Sequence, residues 1–149
     1  MRLLLIKSLV VIFCSQSFGR ELEGEWRVDV ERTAWFNSVV MKHSELAIQL
    51  LRCIGEGESL KIDSGKIVHV VKGSDCTYKG KKETIRGYGS SYLYRVIYSS
   101  DRVTVILKSD PPKGDSVTVI RWVNSDLFWL DEIYDDETQK ELRYFFYRK

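Results

Sequence analysis

The chain is poor in proline, histidine and cysteine, and each shortage excludes something. Its 149 residues include 2 prolines, 2 histidines and 3 cysteines. The prolines stand side by side, Pro111-Pro112 in "SDPPKGDS", which reads as an exposed hairpin loop. No proline-rich linker, internal repeat or low-complexity stretch divides the sequence. The histidines, His43 and His69, each lack a second His or Cys at ligand spacing, so no metal site is expected. Charge of one sign is also lacking: 23 Lys and Arg face 21 Asp and Glu. Arg2 and Lys7 carry the whole excess, so without residues 1–19 the count is 21 of each sign. No basic stripe remains, and a nucleic-acid partner is not expected. Beyond the N-terminus no apolar run nears the roughly 20 residues of a membrane-spanning helix.

What is present begins with an address. "MRLLLIKSLVVIFCSQSFG" joins a positive start to a short apolar core and ends on the small residues Ser17 and Gly19. That is the pattern of a cleavable signal peptide over 1–19, cut after Gly19, with an uncleaved anchor as the alternative. Cys14 invites a lipoprotein reading, but bulky Phe13 occupies the place of a small residue. The mature chain, 20–149, is then one domain, periplasmic or secreted and not an integral membrane protein. A chain of this size buries about two thirds of its unfolded surface. Two cysteines remain, Cys53 and Cys76. In an oxidising compartment they are expected to bridge, contributing about 3 kcal/mol on a chain-entropy estimate; two buried thiols are the alternative.

The hydrophobic pattern then sets the fold class. "GEWRVDVER" alternates, with Trp26, Val28 and Val30 on one face and Arg27, Asp29 and Glu31 on the other, a half-buried strand. "TAWFNSVVMKHSELAIQLLRCIGEG" changes to helical spacing and stops at Gly55 and Gly57. It reads as one amphipathic helix, or two broken near His43-Ser44, with Ser44 a partial cap. From Ser59 onward the sequence reads as hairpins, turning at Asp63–Gly65, near Gly80, at Ser99–Asp101 and around Asn124-Ser125. "DDETQ" is a polar turn before the last strand, "KELRYFFYRK". Eight or nine antiparallel strands with a helix after the first predict a mainly β fold. An up-and-down barrel is the economical closure, because it leaves no exposed edge.

"LEGEWRVDVERT", the helix after it, "LKID" before a Gly-Lys, the run of hairpins and the closing "ELRYFFYRK" together resemble the small secreted lipocalin-like proteins of bacteria, within the calycin group. The matching residues are Gly24 and Trp26 of a Gly-x-Trp, Asp29, Thr33 and the terminal Tyr147-Arg148. In lipocalins that tryptophan plugs one barrel end and a basic residue from late in the chain packs on its ring. The resemblance therefore implies Trp26 as plug and Arg148 as partner, with Arg143 the competitor. A guanidinium over an indole contributes of order 1–2 kcal/mol when desolvated. The helix departs from the lipocalin order, where it follows the last strand, and the later lipocalin motifs are absent. A tryptophan on the apolar face of a strand is core on either reading.

Chemistry is sparse. His43, on the apolar stripe of the helix, reads as a satisfied half-buried side chain, and His69 in "KIVHVVKG" as facing solvent. Ser90-Ser91 in "GYGSSY" do not form a nucleophile elbow and read as a turn or bulge. Asp29 and Glu31 would lie roughly 7 Å apart on a strand face, beside Arg27, as a solvated surface. Aromatic side chains crowd the second half, and the two bulky faces of "LRYFFYRK" need a core and a second cover, helix packing or a cavity. No catalytic residue, metal or cofactor is expected, and the chain is not expected to be an enzyme. Two roles remain: a lipocalin-like carrier of a small apolar ligand, or an envelope interaction module of inhibitor or immunity type presenting the "SDPPKGDS" loop. An open interior would favour the first and a filled one the second.

Overall fold

A computed structural model describes residues 20–133 and 141–149. The expected signal peptide with Cys14, and the "DDETQ" turn, lie outside the described residues. Strand β1 (Gly24–Val28) is followed by a short helix α1 (Val30–Trp35), a π-helical turn (Phe36–Val40) and helix α2 (Glu45–Gly55). Then come β2 (Glu58–Asp63), β3 (Lys66–Val71), β4 (Ser74–Tyr78), β5 (Lys81–Ile85), β6 (Tyr88–Ser99), β7 (Val103–Asp110), β8 (Gly114–Asn124), β9 (Leu127–Ile133) and β10 (Glu141–Arg148). Eight strands close an antiparallel barrel in the order β1-β10-β9-β8-β7-β6-β3-β2. Strands β4 and β5 form a separate hairpin between β3 and β6. The mainly β, up-and-down barrel with its helix after the first strand is thus the architecture read from the pattern.

Strand alternation sorts the side chains. Trp26 and Val28 of β1, Leu142, Tyr144 and Phe146 of β10, and Phe128 and Leu130 of β9 are buried inside. The first strand is shorter than its sequence suggests. Alternation continues through Glu31, but the strand stops at Val28 because Asp29 caps α1, its carboxylate accepting from Arg32 N at 3.1 Å. Asp29 and Glu31 therefore do not share a strand face. Asp29 pairs with Arg32 and Glu31 with Arg52 of α2. The break between helices falls where the sequence places it, and Ser44 caps α2 through Ala47 N at 3.2 Å.

Because β1 is short, it pairs with β10 only from Phe146 to Arg148. The remaining edge of β10 would expose unpaired backbone, and the helical segment covers it with polar groups. Asp29 N donates to Phe145 O at 2.8 Å, and Thr33 Oγ1 accepts from Phe145 N at 3.1 Å. Fully buried Asn37 accepts from Arg143 N at 2.9 Å and donates to Arg143 O at 2.7 Å. His43 Nε2 reaches Glu141 O at 2.8 Å. These groups act as a substitute strand, which accounts for a buried amide inside the rare π-helical turn. They also place Phe36 against Phe145, ring centroids 5.6 Å apart, so the outward face of β10 is covered by helix packing.

The side hairpin is tied down covalently. Cys53 of α2 and Cys76 of β4 form a disulfide, with Cα atoms 5.6 Å apart. At its base Gly73 and Gly87 cross so closely that a Cβ at Gly87 would come within 2.8 Å of Gly73 N. Only glycine permits that approach of two backbones.

Candidate functional site

The two ends of the barrel differ. At one end gather the start of β1, the β2–β3 turn and the ends of β8 and β10. Trp26 is fully buried there, and its indole Nε1 donates to Leu22 O at 2.9 Å. Its ring lies 4.7 Å from Phe128 and 5.8 Å from Trp122, centroid to centroid. Trp122 is anchored in turn by Thr104 Oγ1 at 2.9 Å. The Arg148 guanidinium lies 4.4 Å above the Trp26 ring. Its two terminal nitrogens donate to Glu23 O at 2.7 Å and Glu21 O at 2.8 Å, and Nε faces Asp126 at 3.3 Å. Gly24, at φ +137°, leaves room for it: a Cβ there would stand 2.7 Å from the guanidinium. Arg143 is engaged elsewhere. It is bidentate to Asp131 at 2.8 and 3.0 Å and packed between Trp129 and Phe36 on the outer surface.

Toward the other end the interior is open. A cavity of about 610 Å³ runs into the barrel. Leu60, Ile62, Ile67, Ile106, Ile120 and Leu130 form its apolar walls, with Phe128 also lining it. Its polar lining includes His69, Tyr88, Ser90, Tyr92, Lys108 and Glu132. The volume is that of a small-molecule site, apolar with a few converging polar groups.

His69 corrects the sequence reading. Val68 and Val70 flank it, so both phases of β3 look apolar, and solvent was the default for an imidazole. Register decides otherwise: His69 pairs with Leu60 and shares the inward phase with Ile67 and Val71. Its Nε2 meets Glu58 Oε1 at 2.8 Å. Glu58 is buried, and its Oε2 has no hydrogen-bond partner among the described residues. Such an acceptor is rare in a folded interior. The Ser90 hydroxyl donates to the Tyr92 hydroxyl at 2.8 Å, in a regular strand and not a turn. Lys108 Nζ lies 5.0 Å from the centroid of the Tyr92 ring.

Charges in the cavity feel one another. Glu132 stands where solvent still reaches it, yet protein crowds it. Burial, then the nearby Glu58 carboxylate, push its carboxyl above the usual range, against the pull of Lys108 and His69. Burial and the same two carboxylates raise the Tyr88 phenol, keeping it a hydrogen-bond donor. The polar cluster was missed from sequence, and the signal for it was faint. Glu58, His69, Tyr88, Lys108 and Glu132 sit on five different strands, and only the barrel brings them together.

His43 is half-buried and satisfied, as its sequence position suggested, although it falls between the helices. The Pro111–Lys113 loop joins β7 to β8 beside the cavity, with Lys113 at its rim. Among the described residues no cluster of three or more His, Cys, Asp or Glu could hold a metal ion, and no helix is long and apolar enough to cross a membrane. Comparison with protein families, curated proteins and solved structures returns no match.

Proposed function

We propose that this chain is an exported, lipocalin-like carrier that holds a small, mostly apolar molecule inside its barrel. The observation that carries the reading is the open cavity of about 610 Å³, walled by aliphatic side chains with polar groups on one side. A barrel filled by its own side chains would instead favour the envelope interaction module presenting the Pro111–Lys113 loop. The lipocalin likeness draws support from Trp26 beneath the Arg148 guanidinium at the opposite end. Export draws support from the Cys53–Cys76 bridge, since such bonds persist in oxidising compartments. The N-terminal segment 1–19 supplies the expected leader, cut after Gly19.

The test is direct. Purified mature protein is incubated with a cell lipid extract and examined by native mass spectrometry. A retained small molecule, displaced when Ser90→Trp fills the cavity, is the expected result. If nothing is retained under conditions that preserve weak complexes, the carrier reading falls.

A further inference from the structure

We propose that the ligand of this cavity carries a cationic head, an amine on an apolar body. The inference rests on the carrier reading and adds the chemistry of the head. Glu132 lines the cavity, and the buried Glu58 stands behind it, held to the lining residue His69. Two lysines line the cavity, Lys108 inside and Lys113 at the rim. The Lys108 ammonium rests over the Tyr92 ring, and no carboxylate among the described residues lies within ion-pair distance of it. Glu132 likewise has no ion-pair partner among the described residues.

The hydrogen bonds point the same way. Glu58 gives one oxygen to His69 and keeps the other buried and unpartnered. A carboxylate in that state is completed by a donor, and an ammonium brings three. Ionised Glu132 is disfavoured by burial and by Glu58, and a cation beside it in the cavity offsets both effects. Tyr88 adds a ring beside His69, centroids 6.0 Å apart, a second π-face for a cation. A carboxylate head would place a third negative charge beside Glu58 and Glu132, with Lys108 and the rim residue Lys113 the lysines in reach. Lys113 already faces Asp110 at 3.8 Å. The aliphatic walls then set the body: a chain or compact hydrocarbon, not a sugar.

Matched probes separate the head from the body. Decylamine, decanol and decanoic acid share one tail, and titration calorimetry at neutral pH gives their affinities for the mature protein. The amine is expected to bind about tenfold tighter than the alcohol, with the acid weakest, one ion pair's worth of preference. In Glu132→Gln the preference should shrink about tenfold, and in Lys108→Met it should grow. Thermal unfolding of each variant establishes that it is folded, and the unmodified protein's ranking stands alone if a variant is not. If the acid or alcohol binds as tightly as the amine, or the preference survives Glu132→Gln in a folded variant, the cationic head is wrong while the carrier reading stands. If none of the three binds, the carrier reading falls and takes this inference with it.

Discussion

The closed end and the open end of the barrel are built from the same strands by opposite rules. At the closed end the polar groups on the three large side chains are spent: the indole N–H of Trp26 on Leu22, the Trp122 N–H on Thr104, the Arg148 guanidinium on two carbonyls and Asp126. Around the cavity polar groups are left in reserve among the described residues: an unpartnered oxygen on Glu58, a Glu132 with no ion pair, a lysine resting on a ring. Complete satisfaction marks a part whose task is to stay folded. Unused capacity held in a hydrophobic wall is what the proposed carrier role calls for. One end should therefore respond to mutation in stability, the other in binding.

The largest effect should come from Trp26→Ala. Its ring is fully buried against Trp122 and Phe128, and truncating such a tryptophan costs about 3–5 kcal/mol, read as a lower urea midpoint. A variant as stable as the parent would erase the contrast between the ends. Next comes the double change Cys53→Ser with Cys76→Ser. The bridge spans a sequence separation of 23, and its loss should cost about 3 kcal/mol in equilibrium unfolding on the chain-entropy estimate. Arg148→Ala should cost about 2 kcal/mol, from one cation–π contact and the backbone carbonyls it leaves unmet. It should leave the affinity for any cavity ligand unchanged.

The smallest effect belongs to the open side and depends on pH. The folded-state pKa of Glu132 is raised above 4.5. Its protonated form therefore favours the fold, fully so below the unfolded value, and this contribution is lost as pH rises through the raised folded value. Glu132→Gln should remove that loss. The variant should gain on the parent as pH climbs from about 4.5, and urea titrations at several pH values would show it. A constant difference across that range would mean Glu132 does not sense its neighbours.

Sequence reading reached the two ends unequally, for a physical reason. The closed end is local. Gly24 and Trp26 lie in one strand, Arg148 sits at the far end of its neighbour, and alternation alone points Trp26 inward. The hairpins were equally plain, because turn residues at Asp63–Gly65 and Asn124-Ser125 bracket strands of clear composition. The cavity is not local. His69 sits in a strand whose two phases are both apolar, so only pairing with β2 decides which way it faces. The end of β1 misled for a related reason: Asp29 to Glu31 keep strand alternation while a capping aspartate has already begun a helix. Thr33 and Asn37 gave no sign that they would complete the edge of β10, since that role exists only once the strand is beside them.

The ring of strands has a consequence for how the molecule comes into being. Strand β1 lies between β2 and β10, so the first strand made waits for the last. A chain emerging from its N-terminus can form the hairpins one after another, each from near neighbours. It cannot enclose Trp26 until Tyr144, Phe146 and Arg148 arrive. Closure is thus the most non-local event in the fold, the kind that sets the pace of folding in all-β proteins. Until the final residues are delivered the barrel is an open, curling sheet with two sticky margins. A protein arrested a few residues short would be left in that state, exposed to pairing with other chains.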